Sequence, residues 1–259
     1  MQTAGKTDIR QLDLAEIRAL LVKEGHPPFR AIQIYQWLWQ KAAHTFDEMS
    51  NLPASLREWL QAHFYIHTLV LQTSQRSADG TIKSALGLYD GNFVEGVLIP
   101  ASDRITACIS SQVGCSLQCS FCATAQLNLL RNLSAGEIFD QVVMLNEQSV
   151  KQFNKTLSNI VFMGMGEPLL NHKSVMHAVN RITSADGLNM SPRRITLSTS
   201  GLTKFIRKLA DDGFSCNLAV SLHAADNKKR SEIMPINDSN PLEMLAESLI
   251  YFYSKTKTR

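Results

Sequence analysis

Four of the five cysteines of this 259-residue chain fall in one stretch, Cys108-Ile109-Ser110-Ser111-Gln112-Val113-Gly114-Cys115-Ser116-Leu117-Gln118-Cys119-Ser120-Phe121-Cys122. The last three are spaced C-x3-C-x2-C, so one loop can turn three thiolates onto a single inorganic centre, as iron-sulfur clusters require. Three protein ligands on a four-iron cube leave one iron open, and an open metal position binds and activates a small molecule. Two blander readings stand beside this one: a zinc ion with His223 or Cys216 as fourth ligand, and ordinary buried thiols. Structural zinc usually shows two matched pairs, which this spacing lacks. A disulfide framework suits neither the odd cysteine count nor a long chain that opens without a secretory signal.

Around the cysteines the chain reads as a soluble globular protein, 44% hydrophobic and 19% charged. It is long enough for one large domain and a small one. No apolar run is long enough to span a membrane, so the expected setting is the cytoplasm. A net charge of +3 permits a nucleic-acid partner without demanding one.

The first dozen residues are polar and read as frayed. From Asp13 the pattern is helical: Asp13 and Glu16 form a capping box, and Leu14, Ile17, Leu20 and Leu21 recur at helical spacing. Gly25, Pro27 and Pro28 end that helix and start a second, with Ile32, Ile34, Tyr35, Leu38 and Trp39 on its apolar face. A third opens near Asn51 or Pro53 and buries Leu56, Trp59 and Leu60. These aromatics fall on helical periodicity and read as core rather than as base-stacking platforms. Arg30 is a candidate phosphate contact. Residues 1–64 thus form a small helical domain. Residues 65–100 switch to strand-like runs broken by Asp79-Gly80 and Asp90-Gly91, the pattern of a short antiparallel connector. Glu95, on Phe93–Pro100, reads by itself as an exposed strand carboxylate.

Residues 101–259 form the main domain. After the cysteine loop, Ser134 and Glu137 make a second capping box, opening a helix with Ile138, Val142, Val143 and Leu145. Strands are expected at Asn159–Met163, Arg194–Ser198 and Asn217–Leu222. Helices are expected from Asn171 to Ile182, Thr203 to Asp212 and Pro241 to Tyr253. Such alternation implies parallel strands with right-handed crossovers, an α/β barrel or open sheet with ligands at the carboxyl ends of the strands. Every motif of chemical interest lies at such an end. In Gly164-Met165-Gly166-Glu167-Pro168, the glycines allow close backbone approach to a ligand and Glu167 can accept hydrogen bonds from an ammonium. Leu197-Ser198-Thr199-Ser200-Gly201 and Val220-Ser221-Leu222-His223-Ala224 end the next two strands. Cys216 reads as a buried core thiol. Basic groups occur as Arg193-Arg194, Lys204 with Arg207-Lys208, Lys228-Lys229-Arg230, and Lys255, Lys257 and Arg259. Most such runs are solvated faces, and on one side of a barrel mouth they would meet phosphates.

The C-x3-C-x2-C spacing with Phe121 before its last cysteine resembles the radical S-adenosylmethionine (SAM) superfamily. Cys108 seven residues upstream and Ala123-Thr124-Ala125-Gln126 downstream make the stretch similar to the RlmN/Cfr adenine methyltransferases. Those enzymes modify adenosine carbons in ribosomal RNA and, in RlmN, transfer RNA. The resemblance implies a partial radical SAM (β/α) barrel with a [4Fe-4S] cluster on Cys115, Cys119 and Cys122. It further implies SAM held by Gly166, Glu167, Ser198, Ser221, Leu222 and His223. Val94-Glu95 and Ile99-Pro100 match a segment whose glutamate is the proton acceptor, which assigns that role to Glu95. The helical N-terminal domain is associated with RNA recognition.

In the implied mechanism one SAM methylates a C-terminal cysteine. A second is reduced by the cluster to a 5′-deoxyadenosyl radical, which takes a hydrogen from the new methyl group. The carbon radical adds to adenine C2, and the cysteine at the position of Cys108 breaks the covalent link. The implied partners are 23S rRNA, tRNA and an electron donor such as a flavodoxin, with no membrane. About four strand–helix units follow the cysteine loop where the superfamily has six, and no counterpart of the methyl-carrying cysteine is found. The chain therefore reads as a truncated member, which puts full turnover by these residues alone in question. Alternatives are another radical SAM reaction, which Glu95, Cys108 and the helical domain disfavour, and a non-catalytic RNA-binding or metal-binding remnant.

Overall fold

The computed structural model describes residues 6–258. Its amino end is not frayed over Thr7–Gln11, contrary to expectation. Strand β1 (Thr7–Asp8) pairs in parallel with β2 (Phe64–Tyr65), and Ile9 and Arg10 are buried. The remainder of that stretch, residues 1–5, lies outside the described residues. Between β1 and β2 run three helices, α1 (Leu14–Lys23), α2 (Arg30–Trp39) and α3 (Ala54–His63). The Asp13/Glu16 capping box is present, and Ile17, Leu21, Ile34, Leu38, Trp39, Leu56 and Leu60 are core. Ile32, expected on the apolar face, is 43% exposed, because Ala31, Ile34, Tyr35 and Leu38 already fill the inward stripe of so short a helix. Trp59 is only half-buried, stacked on His63 one turn on. Trp39, fully buried, sets its ring edge against Phe139 at 5.1 Å and so packs the helical module onto the main domain.

The antiparallel strands β3 (Val70–Arg76), β4 (Ile82–Gly87) and β5 (Phe93–Pro100) are not a separate sheet. They continue through β6 (Ile105–Cys108) into one seven-stranded sheet. The cysteine loop leaves β6 and is braced by a small ladder of β7 (Gln112–Val113) with β8 (Arg131–Asn132). Then follow α4 (Ala135–Phe153), β9 (Asn159–Phe162), α5 (His172–Thr183), β10 (Ile195–Thr199), α6 (Thr203–Asp211), β11 (Asn217–Val220), α7 (Asn227–Ile233) and α8 (Leu242–Thr256). The sheet order is β11-β10-β9-β6-β5-β4-β3, with β6, β9, β10 and β11 parallel. Four parallel strands with returning helices are the partial barrel that the pattern implied.

One face of this sheet is buried: Val94, Leu98, Ala107, Ile160 and Leu197 are core, and Leu145 of α4 lies directly over Gly96. By alternation the other face carries Glu95, Val97, Thr106, Cys108, Val161, Thr196 and Ser198, most of them half-exposed. Register sets Val97, Cys108, Val161 and Thr196 in one row across four strands. The Ser134/Glu137 capping box opens α4 as expected. Asn171 precedes α5 but does not cap it; its amide donates to Ser111 O and Leu133 O, both at 2.8 Å. It anchors the ends of the cysteine loop instead.

Candidate active site

The loop bearing the three cysteines is tied down residue by residue. Gln141 of α4 clamps the Ser110 backbone, accepting from its N–H at 2.8 Å and donating to its carbonyl at 3.0 Å. The Ser110 hydroxyl donates to Glu95 O (2.7 Å) and accepts from Met165 N (2.9 Å), joining β5 to the glycine loop after β9. Gln112 Oε1 accepts from Glu167 N at 2.8 Å. At Gly114 (φ 79°) a Cβ would lie 2.1 Å from Asn128 O, so only glycine lets the chain turn into Cys115. Gly166 (φ 93°) packs equally closely on Gln112, where a Cβ would be 2.5 Å from its side chain. Further along, Ser120 N donates to Ile233 O at the end of α7.

This bracing opens a cavity of about 270 Å³ at the carboxyl ends of β9, β10 and β11. Of the residues singled out in the sequence, Cys115, Cys119, Cys122, Gly166, Glu167, Ser198 and Ser221 line it. Leu222 and His223 do not. β11 stops at Val220, two residues earlier than expected, and the chain turns away, leaving Leu222 45% exposed and His223 in a left-handed conformation (φ 56°). His223 instead lays its ring on Phe121, the aromatic of the cysteine motif, with centroids 4.0 Å apart.

Glu95 and Cys108 lie outside the cavity lining but are diagonal neighbours on the half-exposed sheet face, since Val97 pairs with Cys108. Cys108 reaches the cavity wall through the Met163 N–H, which its sulfur accepts; burial pushes its pKa up to about 11. Glu95 is paired with Lys83 at 2.5 Å.

Glu167 is 4% exposed, with Oε1 accepting from Leu169 N (3.0 Å) and Oε2 from Ser200 N (2.7 Å). Burial raises its pKa, and these N–H donors oppose the shift. No Lys, Arg or His pairs with it among the described residues. A buried carboxylate without a cation fits the ammonium end of an amino acid. Burial also raises the Cys115 and Cys119 pKa values, and for Cys119 the neighbouring cysteines add to it.

The zinc reading loses its support. No three His, Cys, Asp or Glu side chains among the described residues are close enough to share one ion. Cys216 is buried at the amino end of β11, across the sheet from the cavity, with its pKa pushed up to about 12.

Residues 109–249 match the radical SAM superfamily, and residues 7–66 match the ribosomal RNA large subunit methyltransferase N-terminal domain. A probable dual-specificity RNA methyltransferase RlmN from Christiangramia forsetii is 55% identical over 98% of this chain and 72% of the relative's length. One from Flavobacterium psychrophilum is 52% identical over 98% of this chain and 73% of its own. The chain belongs to the RlmN family of radical SAM methyltransferases. A crystal structure of a radical SAM methyltransferase from Sphaerobacter thermophilus superposes with a TM-score of 0.88 at 40% identity, over 98% of this chain and 74% of that one. The RlmN N-terminal match begins at Thr7, where β1 begins, so the paired strands β1 and β2 belong to that module.

Other residues of this RlmN-family site were not singled out in the sequence. Ser110 and Gln112 sit inside the cysteine stretch, but nothing in their spacing shows that they hold the glycine loop. Arg230, read as part of a solvated basic run, is fully buried behind the cavity. A larger cavity of about 600 Å³ lies at the opposite, amino ends of the strands and contains none of the cysteine or glycine motifs. No helix among the described residues is long and apolar enough to cross a membrane.

Proposed function

We propose that this chain holds a [4Fe-4S] cluster on Cys115, Cys119 and Cys122 and SAM in the cavity beside it, as the cofactor-binding and RNA-recognising part of an enzyme that methylates C2 of adenosine in 23S rRNA and tRNA; the methyl-carrying cysteine of that reaction has no counterpart among these 259 residues. The observation that carries this reading is Glu167: an uncompensated buried carboxylate in the same 270 Å³ cavity as the three cysteines. When bound, the cluster and SAM supply a one-electron cleavage that makes a radical able to take hydrogen from an unactivated carbon. The protein's part is to position and to move protons. Glu167 accepts the ammonium of SAM, Gly166 lets the ligand approach the backbone, and Ser198 and Ser221 offer hydroxyls from the ends of β10 and β11. Leu222 and His223 contribute by closing the loop over Phe121, which fixes the cysteine motif from outside.

Cys108 is a protonated thiol at neutral pH, and thiols attack as thiolates, so it needs a proton acceptor when it resolves a covalent link. Glu95 is the carboxylate on the same face, its orientation set by Lys83. The half-exposed sheet face that carries both residues is where the adenine would approach. The helical module, continuous with the core through Trp39, supports RNA recognition, and a low-potential protein such as a flavodoxin would deliver the electron in the cytoplasm.

The test is anaerobic reconstitution with iron and sulfide counted and electron paramagnetic resonance recorded before and after SAM. Four irons and a signal that changes with SAM are expected. Zinc without sulfide, or a cluster indifferent to SAM, would sink the proposal. Incubating the reconstituted chain with RNA, SAM and a reductant then reads C2-methyladenosine directly.

A further inference from the structure

Arg230, on α7, has no exposed surface, yet its guanidinium meets only neutral acceptors. Nε donates to Leu222 O (3.2 Å), Nη1 to Asn237 Oδ1 (2.7 Å) and Nη2 to Ser200 O (2.5 Å). Two of these carbonyls belong to the loops that leave β10 and β11, so the fork ties two walls of the cavity together. Ser200, held from behind by Arg230, gives its own N–H to Glu167. The end of α7 also holds the cysteine loop, through Ser120 N to Ile233 O at 3.0 Å. Burying a cation with no carboxylate beside it is costly, and natural proteins keep such a charge where another charge makes use of it. Burial works against Arg230's charge.

We propose that Arg230 is a positioning residue: its fixed charge behind the cysteine loop raises the reduction potential of the cluster held there, while its fork sets Ser200 and thereby Glu167. The inference rests on the cluster reading above. Reduction adds one electron, taken from an external one-electron donor, to a centre already ringed by thiolates. A cation in the low-dielectric wall lowers the cost of that added negative charge. Ammonium binding at Glu167 depends on the same side chain, because the Ser200 N–H is one of the two donors that orient the carboxylate.

Two substitutions separate charge from hydrogen bonding. R230Q removes the charge and keeps an amide donor for the carbonyls; R230K keeps the charge and loses the planar fork. Each, with the unaltered chain, is reconstituted and titrated with dithionite under electron paramagnetic resonance, and SAM affinity is measured on the same samples. The expected result is a potential shifted to more negative values in R230Q and close to the unaltered value in R230K. SAM should bind at least about tenfold more weakly to R230K, where the three-way fork is gone. Equal potentials in R230Q and the unaltered chain, or an equal shift in both variants, would overturn the proposal. Should R230Q not fold, R230K decides: SAM bound more weakly at an unchanged potential supports the proposal, and a shifted potential or undiminished SAM affinity refutes it. An unaltered chain that takes up no iron and sulfide defeats the cluster reading itself, a distinguishable failure.

Discussion

Arg10 and Arg230 are the two buried arginines of the described residues, 4% and 0% exposed, and their surroundings differ in kind. Arg10 lies between Asp140 at 2.7 Å and Asp8 at 3.2 Å, and it also donates to His67 O. Burial works against its charge, and Asp140 and Asp8 more than offset this, raising its pKa. That cluster closes on itself, binding the amino-terminal strand β1 to α4. Arg230 is offered three neutral oxygens and no carboxylate. The first is a structural clamp whose cation is answered by carboxylates within the protein. The second keeps a charge uncancelled beside the cavity, the arrangement of a group poised toward something bound.

The sharpest way to break this contrast is to remove one ligand of the centre proposed in the cavity in front of Arg230. Cys119→Ala should abolish cluster assembly, read as loss of iron and sulfide on reconstitution; retention of a full cluster would separate Arg230 from any cofactor. Next in size is Arg10→Met, which leaves Asp8 and Asp140 buried and unpaired and should cost about 3–5 kcal/mol in denaturant unfolding. Asp140 adds a pH signature. Burial raises its pKa above the usual carboxylate value, with Arg10 opposing, so its contribution to stability is present at low pH and lost as pH rises through the raised value. Without Arg10 that rise is larger, so the deficit of Arg10→Met should shrink on acidification. A deficit independent of pH would mean that the clamp works by packing rather than by charge.

Glu167→Gln applies the same logic at the cavity. The raised Glu167 pKa means that the ionised form costs the fold stability at neutral pH, while a Gln amide can accept only one of the two backbone N–H bonds, so the two effects oppose and stability should change by no more than about 1–2 kcal/mol. The variant should bind SAM about 10–100-fold more weakly, through loss of a charge-assisted contact. A destabilised Glu167→Gln with unchanged SAM binding would make Glu167 a second Arg10-type residue. The smallest effect on stability belongs to the exposed pair: Lys83→Met should change unfolding by no more than about 1 kcal/mol. Glu95→Gln should be as mild in unfolding and leave SAM binding unchanged, because Glu95 lies outside the cavity lining.

Local rules read well where the interactions are local. Both capping boxes, the Asp79-Gly80 and Asp90-Gly91 turns, most of the helical stripes of α1 to α3 and three of the four parallel strands, β9 to β11, followed the sequence pattern, because each depends on residues a few positions apart. The expectations that failed depend on distant partners. Thr7–Gln11 looked frayed because their order comes from pairing with Phe64–Tyr65 and from Arg10 meeting Asp140, 130 residues away. Asn171 looked like a cap, but its amide serves two carbonyls of the cysteine loop. β11 was read two residues too long, since its end is set by where pairing with β10 stops, at Thr199 and Val220.

The chemistry was written in the chain itself: three thiols at C-x3-C-x2-C and a carboxylate after two glycines state which ligands are on offer, since donor type and spacing are local properties. The tertiary structure decided how those donors are charged and held. Whether Arg230 belongs to a solvated basic run or forms the back wall of the cavity depends on how α7 packs against the loops after β10 and β11. Burial is a property of the assembled surface, to which no short window of sequence has access.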